Sequence, residues 1–313
     1  MTSHTESQLA SAVLMIRPAR FESNPQTAAS NRFQGKIART AAEQQAAALA
    51  EFERLRAALE AAGVRALVFD DTPEPHTPDA VFPNNWVSFH ADGTVVLYPM
   101  EAPNRRLERR PDIVEALAAR HGFVVREIVD LTHHEADGHY LEGTGSMVLD
   151  RVNRVAYACL SSRTHLDPLG EFAQRMDYDV LTFDAVDAGG APIYHTNVLM
   201  NVGERLAVIC ADSIPRQDQR RAVLKRLAST GHEVMPLSYA QLEAFAGNML
   251  ELCSSAGGRV IALSQQALDA LKPEQRDALH ANGEVLAVPI DVIEASAGGS
   301  VRCMLAEIHL PAA

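Results

Sequence analysis

Cysteine is scarce in this sequence. Cys159, Cys210, Cys253 and Cys303 are far apart and form neither a CxxC pair nor a Cys/His cluster, so no disulfide framework and no structural zinc are expected. Long apolar runs are missing too. The opening MTSHTESQLASAVLMIRPAR has no basic segment leading into an apolar one, and no later stretch approaches membrane-spanning length, so neither secretion nor a membrane contact is expected. Basic residues are in deficit, 28 Lys+Arg against 40 Asp+Glu for a net charge of -12, which leaves no broad surface for phosphate backbones and argues against nucleic acid. What remains is a cytoplasmic globular protein acting on a small molecule, with a homo-oligomer compatible with the sequence. At 47% hydrophobic over 313 residues it can bury a sizeable core.

What is present is a repeat. An amphipathic helical pattern, a turn residue and a short β-branched run recur five times. The helical patterns cover 43–62, 112–121, 169–177, 217–230 and 273–281. The runs that follow begin near residues 64, 124, 180, 234 and 285, at intervals of 51 to 60. Between these units lie pairs of strands. Trp86 to His90 and Thr94 to Tyr98 flank Ala91-Asp92-Gly93, a strong hairpin signal. Similar pairs are expected at 146–149 with 154–160, 198–202 with 205–210, and 249–253 with 259–263.

Two runs lack a neighbour, Val13 to Arg17 and Met304 to Leu310, and pairing them closes a ring. The fold expected is an α/β, five-fold pseudo-symmetric propeller of ββαβ modules, with residues 1–313 as one catalytic domain. Two independent α/β domains are the alternative.

Pseudo-rotation brings the segments that lead into each hairpin to one end of the axis. Taking Asn85, Glu142, His195, Asn248 and Cys303, the intervals are 57, 53, 53 and 55. A carboxylate, an imidazole and a thiol thus converge, although each alone has an ordinary structural reading. Together they have a chemical logic: a stabilised thiolate is a nucleophile, imidazole moves protons near neutral pH, and a carboxylate orients the imidazole. Cys303, after Gly298-Gly299, is the candidate nucleophile.

These residues resemble the guanidino-group-modifying superfamily, or penteins, over the whole chain. The resemblance rests on Phe82 to Asn85, Glu142-Gly143, Ser162-Arg163-Thr164, His195-Thr196-Asn197 and Gly298 to Cys303. It implies a five-bladed fold and catalysis without a metal or organic cofactor. It also implies that Cys303 attacks a guanidinium or ureido carbon, that His195 shuttles protons and that Glu142 assists it. Arg163 matches a position that binds the carboxylate of an amino-acid substrate. A second such segment, Asn104 to Glu108, leaves Arg105 and Arg106 as alternatives; a guanidinium can grip a planar carboxylate by two parallel bonds.

Deiminases of this superfamily generally carry carboxylates where this chain has Asn85 and Asn197. Two amides offer both donors and acceptors and match a neutral urea, whereas buried carboxylates would lack compensation there. With the segment Arg17 to Thr27 and the Phe-Pro-Asn-Asn-Trp run, the sequence looks most like the citrulline-utilisation hydrolases, expected to convert citrulline, or arginine through citrulline, to ornithine, carbon dioxide and ammonia. The alternatives are an arginine deiminase or dimethylarginine dimethylaminohydrolase that stops at citrulline, and a non-catalytic pentein that binds a macromolecule. A papain-like hydrolase is disfavoured by the late cysteine. Whether residues 24–33 close over the pocket is left open.

Overall fold

A computed structural model describes residues 6–35 and 38–313. Residues 1–5, where the leader-free reading of the opening segment begins, lie outside the described residues. Among the described residues, fifteen strands form five three-stranded sheets, each built alike. In the sheet that joins the two ends of the chain, β1 (Ala12–Arg17) pairs antiparallel with β15 (Ala306–Glu307) and parallel with β2 (Arg65–Asp70). The other four are β3 (Val87–Phe89), β4 (Thr94–Leu97) and β5 (Glu127–Asp130); β6 (Met147–Asp150), β7 (Val155–Cys159) and β8 (Asp179–Phe183); β9 (Met200–Val202), β10 (Leu206–Ile209) and β11 (Glu233–Pro236); and β12 (Leu250–Cys253), β13 (Arg259–Ser264) and β14 (Glu284–Val288). In each an antiparallel hairpin is followed by a helical crossover to a parallel third strand, as in β6 (Met147–Asp150), β7 (Val155–Cys159) and β8 (Asp179–Phe183). The chain is therefore a five-fold pseudo-symmetric α/β propeller, with its ring closed by the pairing of Val13 with Glu307 and Leu14 with Ala306.

Composition explains which strand lies where. The central strand β7 (VAYAC) and its counterpart β10 (Leu206–Ile209, LAVI) are apolar at every position and wholly buried. Third strands such as β5 (Glu127–Asp130, EIVD) carry charged residues and are mostly exposed, with only Val129 of β5 buried, so they form the outer edges. Helix α1 (Ala41–Ala61) begins with a capping box between Thr40 and Glu43. It packs Ala48, Phe52, Leu55 and Leu59, a helical stripe, against the β1 sheet and the β14 (Glu284–Val288) module. Each of the three larger side chains is fully buried, stabilising the fold by about 1.5–3 kcal/mol.

One strand sits later than its sequence pattern. The run Phe123 to Ile128 is expected to pair throughout, yet β5 starts at Glu127, opposite Thr94. Phe123 instead bridges Ala312, and Val124 N donates to Pro311 O at 2.8 Å. The apolar residues after Gly122 thus hold the last residues of the chain rather than extend the sheet.

Among the described residues, no helix is long and apolar enough to cross a membrane.

Candidate active site

The segments that approach the hairpins are single helical turns rather than strand starts. Asn85 ends the turn Pro83–Asn85, Glu142 precedes Gly143–Ser146, His195 precedes Thr196–Leu199, and Cys303 lies in Val301–Met304. These turns touch around the axis. Asn84 Nδ2 lies 3.3 Å from Thr144 Oγ1, Thr196 Oγ1 donates to Ser146 O, Asn248 Nδ2 to Asn197 O at 2.9 Å, and Arg302 N to Asn248 Oδ1 at 3.1 Å. Glycine permits the approach. At Gly145 a Cβ would fall 2.8 Å from the His195 ring, and at Gly143, whose φ is +48°, one would overlap the Asn84 carbonyl.

His195 Nε2 lies 2.9 Å from Glu142 Oε2, and both residues are buried. The same oxygen is 3.4 Å from Arg163 Nη1 and 3.6 Å from Arg105 Nη1. Burial opposes ionisation of Glu142, but Arg163, the His195 bond and Arg105 outweigh it and hold the carboxyl well below its usual range. Burial also lowers His195 to about 4, despite the attraction of Glu142, so its imidazole is neutral at rest. Burial pushes the Cys303 thiol up, partly offset by its bond to Ser300 and its contact with Asn248. The resting pair is a thiol and a neutral imidazole, not a preformed ion pair.

Both line one cavity, whose walls also include Asn85, Arg105, Arg163 and Asp79. Arg105 donates to Glu108 by two bonds of 2.9 Å, so its planar fork is taken; a third, from Nη1 to Asn85 Oδ1 at 2.9 Å, fixes the Asn85 amide. Asn85 Nδ2 is then left buried without a protein partner. Arg163 reaches the wall because Leu141 bridges Thr164; it stacks on Tyr194 at 4.7 Å and donates to Ser30 Oγ at 2.8 Å. Of residues 24–33, Asn31 forms part of the cavity wall and donates to Ala297 O.

Two expected substrate contacts are placed elsewhere. Arg106 lies outside the cavity wall: its Nε donates to Met100 O at 3.0 Å and its guanidinium sits on the Tyr140 ring. Asn197 is packed under the sulfur, its Nδ2 3.7 Å from Cys303 Sγ, and is not part of the wall. The one-turn helix that starts after His195 carries Asn197 inward toward the thiol.

Sequence reasoning missed Asp79, and it placed Asn248 at the site without giving it a role. Asp79 is 3% exposed, accepts from Asn24 Nδ2 at 2.7 Å, and leaves Oδ1 unpartnered at the cavity wall. No periodic signal marks it. Asn248 donates to Cys303 Sγ at 3.3 Å, and its place in the repeat, equivalent to Glu142 and His195, was the signal for it.

The family model for N,N dimethylarginine dimethylhydrolase of eukaryotic type matches residues 17–310. No curated protein matches the sequence. Among solved structures, ArgZ, an arginine dihydrolase from the ornithine-ammonia cycle in cyanobacteria, is similar with a TM-score of 0.72 at 18% identity, over 96% of this chain and 41% of that one. This chain thus spans less than half of ArgZ, but it covers 99% of the ArgZ N-terminal domain solved with substrate, at a TM-score of 0.70. DDAH from Pseudomonas aeruginosa, solved with citrulline, gives 0.63 at 14% identity over 95% of this chain and 99% of that one. At these identities the structural likeness is one of fold.

Proposed function

The chain belongs to the dimethylarginine dimethylhydrolase family of the guanidino-group-modifying superfamily, and on that premise we propose that it hydrolyses the ureido group of citrulline, supplied as such or formed from arginine, with the five sheets acting as one catalytic domain. The observation that carries this reading is the orientation of Asn85. With Oδ1 held by Arg105, the amide offers the cavity a donor, Nδ2. A donor suits a carbonyl oxygen and would meet the N–H groups of a guanidinium donor to donor.

In the proposed mechanism, the Cys303 sulfur attacks the ureido carbon while its proton passes to the free nitrogen of His195, Nδ1. That transfer is uphill at rest, because burial disfavours both the thiolate and the imidazolium. It becomes feasible as the carbon–sulfur bond forms. Charge then moves to the substrate oxygen, where Asn85 Nδ2 can donate, and Glu142 stabilises the new imidazolium. His195 returns the proton to the departing amine, releasing ornithine and leaving an S-carbamoyl cysteine. Water, losing a proton to His195, cleaves that thioester to carbamate, which breaks down to carbon dioxide and ammonia. Arginine, whose guanidinium meets the Asn85 amide donor to donor, would be the poorer substrate and would pass through two such cycles, losing ammonia in the first. Asp79, with Oδ1 unpartnered, suits the substrate ammonium, and Arg163 its carboxylate.

A second reading is dimethylarginine hydrolysis to citrulline. The family model favours it, and Asp79 could face a cationic guanidinium instead. Incubating the protein with citrulline, arginine and dimethylarginine separately and identifying the products tests one against the other.

A further inference from the structure

Away from the cavity, His133, His134 and Glu171 bring three ligating atoms together at the surface. The histidines belong to the turn Thr132–Asp137, and Glu171 to the helix Leu166–Met176. Glu171 Oε2 is 2.8 Å from His134 Nε2 and 3.2 Å from His133 Nε2, and all three atoms lie within 4.8 Å of one another. The sequence gives no metal-ligand spacing here, because the carboxylate comes from a different element.

His133 Nδ1 lies 3.3 Å from Asp130 O. The two imidazoles are packed against each other, with centroids 4.3 Å apart, so that both Nε2 atoms approach one carboxylate oxygen. One divalent ion can take all three groups as ligands.

We propose that His133 Nε2, His134 Nε2 and Glu171 Oε2 form a binding site for a divalent transition ion of the zinc class, with solvent as the fourth ligand. Bonds of about 2.0–2.2 Å in a tetrahedron put ligand atoms roughly 3.3–3.5 Å apart, so the His133–Glu171 contact at 3.2 Å already fits and the His134–Glu171 contact at 2.8 Å would open slightly around an ion. Two imidazoles favour a borderline ion over calcium or magnesium, which prefer oxygen cages. The bond from His133 to Asp130 O is the kind of outer contact that orients a ligating imidazole. His133, with a side chain 59% exposed, lets the ion enter from solvent. The bound ion braces a turn that also carries Glu135, which accepts from Met100 N at 2.9 Å and from Arg109, just before the chain reaches Glu142.

Zinc titrated into the full-length protein, followed by calorimetry and thermal unfolding, tests the proposal. One equivalent should bind and raise the unfolding midpoint, and magnesium should do neither. His134→Ala and Glu171→Gln should each weaken zinc at least tenfold and abolish the shift, while unfolding like the parent in chelator, which shows that they fold. Cys303→Ser should keep both effects, since the thiol is not a ligand. The proposal is overturned if zinc does not bind at millimolar concentration, if both surface variants retain it, or if Cys303→Ser loses it.

Discussion

Arg105 sets the direction of Asn85: Nη1 donates to Oδ1 at 2.9 Å, so the amide nitrogen is the group left for a ligand. In Asn85→Asp one carboxylate oxygen would stay on Arg105, and the other would face the substrate oxygen. Citrulline turnover should fall by roughly 10- to 1,000-fold, the scale for losing a donor to a developing oxyanion. Conversion of arginine to citrulline should suffer less. Steady-state rates on the two substrates check this, and equal losses would remove Asn85 from the charge-matching argument.

Because burial raises the Cys303 thiol, its alkylation by iodoacetamide should keep accelerating with pH through the alkaline range, with no plateau near neutrality. Asn197→Asp, which places a negative charge beside the sulfur, should slow alkylation at pH 8 by about tenfold or more. A plateau near neutral pH would mean a standing thiolate–imidazolium pair.

His195→Ala should lower turnover by roughly 10²–10⁴, the usual scale for a proton-transfer group. Its pH effect on stability has a definite sign. Folding depresses the His195 value to about 4, so the unfolded chain binds the extra proton first, and stability falls as pH drops from about 6.5 toward 4. The wild type should lose up to about 1.4 kcal/mol per pH unit more than His195→Asn in that window. Denaturant titrations at several pH values measure the difference, and parallel curves would contradict it.

Arg163→Ala should raise KM for citrulline far more than it lowers kcat, if its guanidinium holds a remote carboxylate. Arg106→Ala, whose partners lie outside the cavity, should leave both within about twofold. The pair of KM values separates the two arginines.

Gly145→Ala would push a methyl group into the His195 ring and the Asn85 amide. Overpacking of this kind costs roughly 1–3 kcal/mol, and the displaced imidazole should lower kcat as well. Unchanged kcat with normal stability would show that the ring has room to move.

The sequence made the propeller legible because its signals are local and repeated. Asp-Gly in the first hairpin, glycine after the helices and two unpaired end runs give five modules and the β1–β15 closure. The convergence of Glu142, His195 and Cys303 follows from repeat arithmetic and needs no side-chain detail. Arg106 and Asn197 could not be placed that way. Which of two adjacent arginines faces inward depends on a 3₁₀ turn, and the helical turn after His195 aims Asn197 at the sulfur rather than at the cavity. Asp79 was invisible because its role depends on Asn24, which lies 55 residues earlier and holds only one of its oxygens. The start of β5 was misplaced because Phe123 and Val124 look like strand residues and are used by the chain terminus.

The account rests on a ureido group being cleaved through Cys303, and the most direct measurement is product release from isotopically labelled citrulline. Purified protein should release ornithine with labelled carbon dioxide and ammonia. A brief acid quench should trap the ureido carbon on the peptide carrying Cys303, and Cys303→Ala should give neither signal. If citrulline is recovered intact while dimethylarginine is converted to citrulline, the ureido reading is contradicted and the dimethylarginine reading takes its place.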